Sequence, residues 1–390
     1  MLNFKLALKN LLGAGIRTWL NVIVLSVAFV AIIWTQGLVE GMNKTTINNM
    51  KRTIYGGGQF RHQNYDPYDP LTIEDSHGSL TNKLQKIIDK NRAVPILITR
   101  GALYPHGRMK NILIKGIPPK QDLLDMPMEN LSTETEYIPA VIGNRMASQT
   151  DLKPNDIVTV RWRDKDGTFD AADIQIVNIM KTPVPAVDNG QIWVSYKKLQ
   201  EMMNTKNHAT LVVTEEGYTG DTKVSGVWEF KSLDYLLRDL REIAQMKTVG
   251  SSFMYLLLLL MGLLALFDTQ VLSIFRRKRE IGTLMALGME RSKVISLFTL
   301  EGALHGILAF IVGGIWGIPL MVWTAKSGIA LPELMGDFGL AMASSLYPSY
   351  GWKLVIGSII LVLVSVTIVS YLPARRISDV EPKDVLSGRE

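Results

Sequence analysis

Residues 249–279 read VGSSFMYLLLLLMGLLALFDTQVLSIFRRKR, and this stretch decides the class of the whole chain. After Lys247 the only charge before position 276 is Asp268, and then four cations follow in a row, Arg276, Arg277, Lys278 and Arg279. About 20 apolar residues in a helix cross the ~30 Å of bilayer hydrocarbon, so the run predicts a membrane span over 248–275 ending in a cationic anchor. Three further reaches share the pattern, over 17–40, 294–325 and 354–372. The first holds 22 uncharged residues between Arg17 and Glu40. It is too long for a secretory leader and lacks a small-residue cleavage site, so it is expected to remain as an anchor. An apolar content of 47% agrees with a chain partly dissolved in lipid.

Lys and Arg in short flanks set orientation. Lys5, Lys9 and Arg17 precede the first span, six cations lie in 276–293, and Arg375, Arg376, Lys383 and Arg389 follow the last, whereas the 326–353 loop has only Lys326 and Lys353. Both termini and the 276–293 loop are therefore expected in the cytoplasm of a bacterial cell, and residues 41–246 outside its cytoplasmic (inner) membrane. Residues 1–16 carry Phe4, Leu8, Leu11, Leu12 and Ile16 at helical spacing with Lys5 and Lys9 on another face, which predicts an amphipathic helix on the inner surface. The net charge of +6 is gathered beside the apolar segments, so it reads as a topology signal and not as a nucleic-acid surface. With no cysteine there is no disulfide, thiol nucleophile or Cys-ligated zinc.

The 41–246 segment is read as an α+β domain. Strand-like runs LITRGAL, MKNILIKGI, DIVTVRW, DIQIVNIM, QIWVSY and TLVVT alternate with Asp, Asn, Gly and Pro clusters, and short helical patterns fall at 80–91 and 195–204. Helical spacing of Val39, Met42, Thr46, Ile47 and Met50 at one end, and of Leu233, Leu236, Leu237, Leu240, Ile243 and Ala244 at the other, predicts two stalk helices. The stretch from Gly56 to Gly78, GGGQFRHQNYDPYDPLTIEDSHG, has no period and reads as a structured loop or an extended entry to a strand. His62, Asp66 and Asp69 match no metal-ligand template and read as turn residues.

Residues 276–302, RRKREIGTLMALGMERSKVISLFTLEG, resemble the cytoplasmic signature of FtsX/MacB/LolE-type permeases of ABC transporters. The tail PARRISDVEPKDVL (373–386) is similar to their C-terminal signature, and VIGNRMASQTDLKPNDIVTV (141–160) to their outer-domain strand, helix and turn. The resemblance implies four transmembrane α-helices, a large α+β extracytoplasmic domain of MacB-like type on a helical stalk, a second permease subunit (identical or homologous), and a dimer of cytoplasmic ABC ATPases. It implies that the segment 276–293 couples to the ATPase, through Arg279, Glu280, Ile281, Gly282, Leu284, Ala286, Leu287 and Gly288, and that Leu236, Leu240 and Ile243 pass motion along the stalk. Ile281, Leu284 and Leu287 or Ala286 then form an exposed apolar stripe that docks on the ATPase or lies on the membrane surface. The chain has no G-x-x-x-x-G-K-[ST] loop. ATP and its magnesium are thus expected on the partner, with no cofactor or metal held here.

Asp268, Glu301 and His305 are polar groups inside spans. They read either as a proton relay or as interhelical hydrogen-bonding groups, and an ATP-driven machine favours the second. Gly302 with Gly306, and Gly313 with Gly317, allow close helix approach. No Ser-His-Asp set or paired-acid constellation points to an enzyme. Three functions remain open: lipoprotein release from the outer leaflet of the inner membrane, MacB-like export of peptide, antibiotic or toxin, and FtsX-like signalling to a cell-wall hydrolase. The unfused ATPase and the GQFRHQNYDPYDPL segment favour the first.

Overall fold

The computed structural model describes residues 7, 15–224, 226–330 and 345–377. Most of the expected amphipathic segment 1–16, residues 331–344 of the 326–353 loop and the tail beyond 377 lie outside them. The described chain divides into a helical unit (up to Lys44, Ala244–Ala330 and from Ser345) and an α+β unit, Thr45–Ile243.

The chain enters on helix α1 (Ile16–Met50), which closes in one π-helical turn, Lys51–Tyr55. Strand β1 (Gly58–His62) follows directly, where the sequence pattern suggested a loop or strand entry. Gly56 explains how: it has φ +54°, and a Cβ there would stand 2.3 Å from the Thr214 carbonyl oxygen, so only glycine turns helix into strand this tightly. Next come β2 (Gly78–Ser79), α2 (Asn82–Asp89), β3 (Ala93–Leu103), β4 (Lys110–Ile117), β5 (Ile138–Gly143), α3 (Asn144–Thr150), β6 (Ile157–Arg163), β7 (Phe169–Met180), β8 (Gln191–Ser195), α4 (Tyr196–Met202), β9 (His208–Ala209), β10 (Leu211–Thr214) and β11 (Trp228–Ser232).

Nine of these strands run in the order β11-β1-β10-β3-β4-β8-β5-β7-β6, and β6 pairs back to β3. The ring β3-β4-β8-β5-β7-β6 therefore closes on itself, removing the edges an open sheet would expose. The 11-residue β3 pairs with β4 along one side from Leu97 onward, and on the other side with β10 over Ala93–Ile96 and with β6 over Gly101–Leu103. Period-two patterning fills the ring: Val158, Val160 and Trp162 of β6 are buried while Ile157, Thr159 and Arg161 are exposed. The interior is completed by Leu97, Ile114, Ile142, Ile174, Ile192 and Val194.

The helical unit contains α5 (Arg238–Arg276), α6 (Lys278–Ala286), α7 (Arg291–Ser327) and α8 (Trp352–Ile377). Together with α1, helices α5, α7 and α8 are long and apolar enough to cross a membrane. The glycine pairs of α7 have separate partners. A Cβ on Gly302 would meet Ser370 Oγ at 1.9 Å and one on Gly306 would meet Val366 at 3.1 Å, both on α8, whereas Gly317 faces Val30 of α1 at 2.6 Å.

The stalk pattern at 233–244 is not one helix. A single turn, Leu233–Leu236, capped by the Ser232 hydroxyl, ends at Leu237 (φ −92°, ψ −2°) before α5 begins. Leu236 and Leu237 are buried in the α+β unit, Leu240 is half-buried and Ile243 is exposed. Of the three residues expected to pass motion along the stalk, Leu236 thus lies on the separate turn, and Leu240 and Ile243 lie on α5.

Candidate functional site: the elbow after the second long helix

Helix α5 stops at Arg276 because Arg277 leaves helical geometry (φ −97°, ψ 13°), and α6 starts at the next residue. The Arg277 side chain then ties the elbow together. Its Nη1 donates to Glu301 Oε2 at 3.1 Å, its Nε donates to Glu280 Oε2 at 3.0 Å, and its guanidinium lies 5.1 Å from the centre of the Phe298 ring. Glu301, on α7, is only 4% exposed. An ion pair away from water depends on both partners, since removing one strands a buried charge.

The inner face of α6 is apolar. Ile281 is 3% exposed, packed with Ile274 of α5, Val294 and Phe298 of α7 and Ala374 of α8. This corrects the expectation that Ile281 belongs to an exposed docking stripe: it is the bolt that fixes α6 to the ends of three long helices. Gly282 is buried beside it, while Arg279, Glu280 and Ala286 face outward. The side chain of Leu284 lies outside the described residues. Gly288 has φ +93°, the left-handed conformation of a helix C-terminal glycine, and its N–H donates to the Met285 carbonyl at 3.0 Å. Just before it, Leu287 is 81% exposed. A large apolar side chain is thus held out from a helix that is itself rigidly seated.

The three intramembrane polar groups do not converge on one another. Glu301 meets Arg277, His305 Nδ1 sits 2.8 Å from the Glu301 main-chain oxygen and not from its carboxylate, and Asp268 is exposed on α5. Arg277 was invisible as a partner because 24 residues separate it from Glu301. The signal available was the helical hairpin α5–α6–α7, which returns α7 past the end of α5.

In the α+β unit, Asp69 caps Leu71 N–H at 2.9 Å, Asp66 accepts from Tyr68 N–H at 2.8 Å, and His62 Nδ1 accepts from Asn64 N–H at 3.3 Å, so all three serve a turn. A histidine pair escaped sequence reading: His77 Nδ1 and His208 Nδ1 lie 3.0 Å apart, and Ser79 Oγ is 2.9 Å from His208 Nε2. Burial lowers the pKa of His62, His77 and His208, and their mutual repulsion adds to it for His62 and His77.

Residues 239–382, which contain the elbow and three of the four spanning helices, match the family described as FtsX-like permease C-terminal. An uncharacterised ABC transporter permease of Methanocaldococcus jannaschii is 31% identical over 130 residues, 33% of this chain and 30% of that protein. The macrolide export ATP-binding/permease protein MacB of Neisseria gonorrhoeae is 20% identical over 98% of this chain and 60% of its own length. The chain thus aligns with less than two thirds of the length of these relatives. Among solved structures, the periplasmic region of MacB from Actinobacillus actinomycetemcomitans aligns with 50% of this chain and 97% of its own, at TM-score 0.34 and 9% identity. The four apolar helices and these relatives mark a membrane protein whose residues 239–382 are similar to FtsX-like permeases and which is similar over nearly its whole length to MacB.

Proposed function

We propose that this chain is the membrane subunit through which a cytoplasmic ABC ATPase dimer, binding ATP and magnesium, drives conformational change in an extracytoplasmic α+β domain, working with a second permease subunit. Both termini and the elbow face the cytoplasm. The observation that carries this reading is the elbow: Leu287 is presented for an apolar socket, while Ile281 and the Arg277–Glu301 pair transfer any displacement of α6 to α5, α7 and α8. Arg279 and Glu280, exposed on the same helix, supply polar contacts, and Gly288 lets the chain turn back after Leu287. Motion then reaches the α+β unit along α5, whose first residues, including Leu240 and Ile243, belong to that unit.

The cargo we assign is a lipid-anchored protein, released from the outer leaflet of the inner membrane. Exposed Tyr68 and Leu71, on the loop after β1, support this as apolar contacts for acyl chain or lipoprotein. Export of a peptide, toxin or antibiotic is the second reading, favoured by the alignment of 98% of this chain with a protein named as a macrolide exporter. Depletion of the chain separates them. Lipoproteins retained in the inner membrane with unchanged drug sensitivity support release, whereas normal lipoprotein sorting with raised macrolide sensitivity replaces it by export.

A further inference from the structure

The chain between α7 and α8 is built onto α1. Two short strands, Ile329–Ala330 and Ser345–Leu346, pair antiparallel, and a strap of residues 347–351 then leads into α8. Gly37, Gly41 and Lys44 recur at i, i+4 and i+7, on one face of α1, and the strap follows that face. The Ser349 N–H donates to the Gly37 carbonyl at 2.8 Å, and Lys44 Nζ donates to Ser349 Oγ at 2.9 Å. A Cβ on Gly37 would stand 2.1 Å from the Tyr350 ring, and one on Gly41 2.1 Å from the Tyr347 carbonyl oxygen, so a side chain at either position would displace the strap. On α7, Thr324 Oγ1 lies 3.4 Å from the Tyr350 hydroxyl and is itself buried. On α8, the Ser358 hydroxyl donates to Gln36 Oε1 of α1 at 2.8 Å. Paired small residues in a membrane helix ordinarily admit a second helix, but this groove holds main chain and an aromatic ring.

We infer that residues 347–350 are a clamp, with Tyr350 as its positioning residue, that fixes α1 to α7 and α8 at the end of the helical unit away from the elbow; this rests on the permease reading above, in which α6 is the driven element. Thr324 marks that end, since α7 starts beside the elbow at Arg291 and stops at Ser327. Closer to the elbow, α1 meets α7 through Val30 against Gly313 and Gly317, and through the edge-on rings of Phe29 and Phe310, 5.6 Å apart. Apolar contacts of that kind allow packed helices to slide by small steps. The clamp does not. Its hydrogen bonds at Gly37 and Lys44 fix the height of α1, and the Tyr350 ring between Gly37 and Thr324 fixes its rotation. With the strap seated, α1, α7 and α8 answer a displacement at the elbow as one body.

Because the chain has no cysteine, Glu40→Cys on α1 and Lys326→Cys on α7 give a single labelled pair. Spin labels on this pair, in the full chain purified with the ATPase that accompanies it, report the distance without nucleotide and with ATP trapped by vanadate. One narrow distance population, the same in both states, is expected. Tyr350→Ala should broaden it, whereas Tyr350→Phe, which keeps the ring against Gly37, should restore the narrow population. Gly41→Ala, aimed at the Tyr347 carbonyl, loosens the strap from its other side and should broaden the population as well, which decides the matter if Tyr350→Ala fails to assemble. A distance in the parent pair that changes on trapping overturns the clamp. So does an assembled Tyr350→Ala chain no broader than Tyr350→Phe, or a Gly41→Ala chain as narrow as the parent. Absence of any accompanying ATPase strikes the permease reading alone, because the nucleotide-free distances still decide the clamp.

Discussion

Arg277 holds two carboxylates with one guanidinium, and that arrangement changes what a substitution at Glu301 should do. A hydrogen-bonding role alone, as read from sequence, predicts that Glu301→Gln keeps most activity. With the ion pair, the amide leaves Arg277 only Glu280, and breaking a buried pair costs roughly 3–5 kcal/mol when the partner is wholly lost. Glu301→Leu is expected to lower thermal stability by that order and to uncouple ATP hydrolysis from cargo movement, with Glu301→Gln intermediate. The exchange Arg277→Glu with Glu301→Arg should recover part of the loss in both assays. A proton relay through Glu301 predicts no recovery, since arginine does not titrate.

The histidines of the α+β unit make a pH prediction whose sign is fixed. Burial depresses the folded pKa values of His62, His77 and His208 below the unfolded value, so the unfolded chain binds more protons once pH falls below it. Lys165 pushes His77 and His208 the same way, and Asp75 opposes it at His77. Stability contributed by the neutral histidines is complete above about pH 6.5 and lost below it. Melting of the full chain between pH 7.5 and 5 should show this decline, and His208→Gln should flatten it. An equally steep decline in the variant would exclude the cluster as its source.

At the scale of elements, burial of Ile281 and exposure of Leu287 divide α6 into a face that holds and a face that is offered. The helix was legible from its period and its terminal glycine, but not which apolar residue pointed where, because three neighbouring helix ends decide that. The six strand runs read by alternation are strands β3, β4, β6, β7, β8 and β10. Strand β11 was missed because WEFKS is short and mostly polar, and its partner β1 supplies its register. The small-residue spacings of α7 were visible, their partners were not. They predict that Gly302→Ala, aimed at Ser370, costs roughly 1–3 kcal/mol by overpacking. Gly314→Ala, whose nearest atom is 3.9 Å away on Ile318, should be close to neutral in the same thermal melt. Equal effects would mean that α7 and α8 do not pack as described.

For the whole molecule, four apolar reaches and a basic loop made the class readable before any contact was known, since lipid imposes span length and charge asymmetry on sequence directly. The closed ring of β3-β4-β8-β5-β7-β6 was not readable, because its closure depends on β3 pairing with β6 across more than fifty residues. The charge asymmetry predicts that single cysteines at Asn155 and Gly328 react with an impermeant thiol reagent in cells with a permeable outer membrane, while one at Met289 does not. The reverse pattern would invert the topology.

The central claim, that the elbow is where an ATPase drives this permease, is tested most directly by purifying the chain from its native membrane and measuring ATP hydrolysis that travels with it. The wild-type chain should carry an ABC ATPase and its activity, and Leu287→Asp, which forces a charge into an apolar contact at a cost of several kcal/mol, should insert normally and lose both. An intact wild-type chain with no such ATPase, or a Leu287→Asp variant retaining all of the bound activity, would contradict the account.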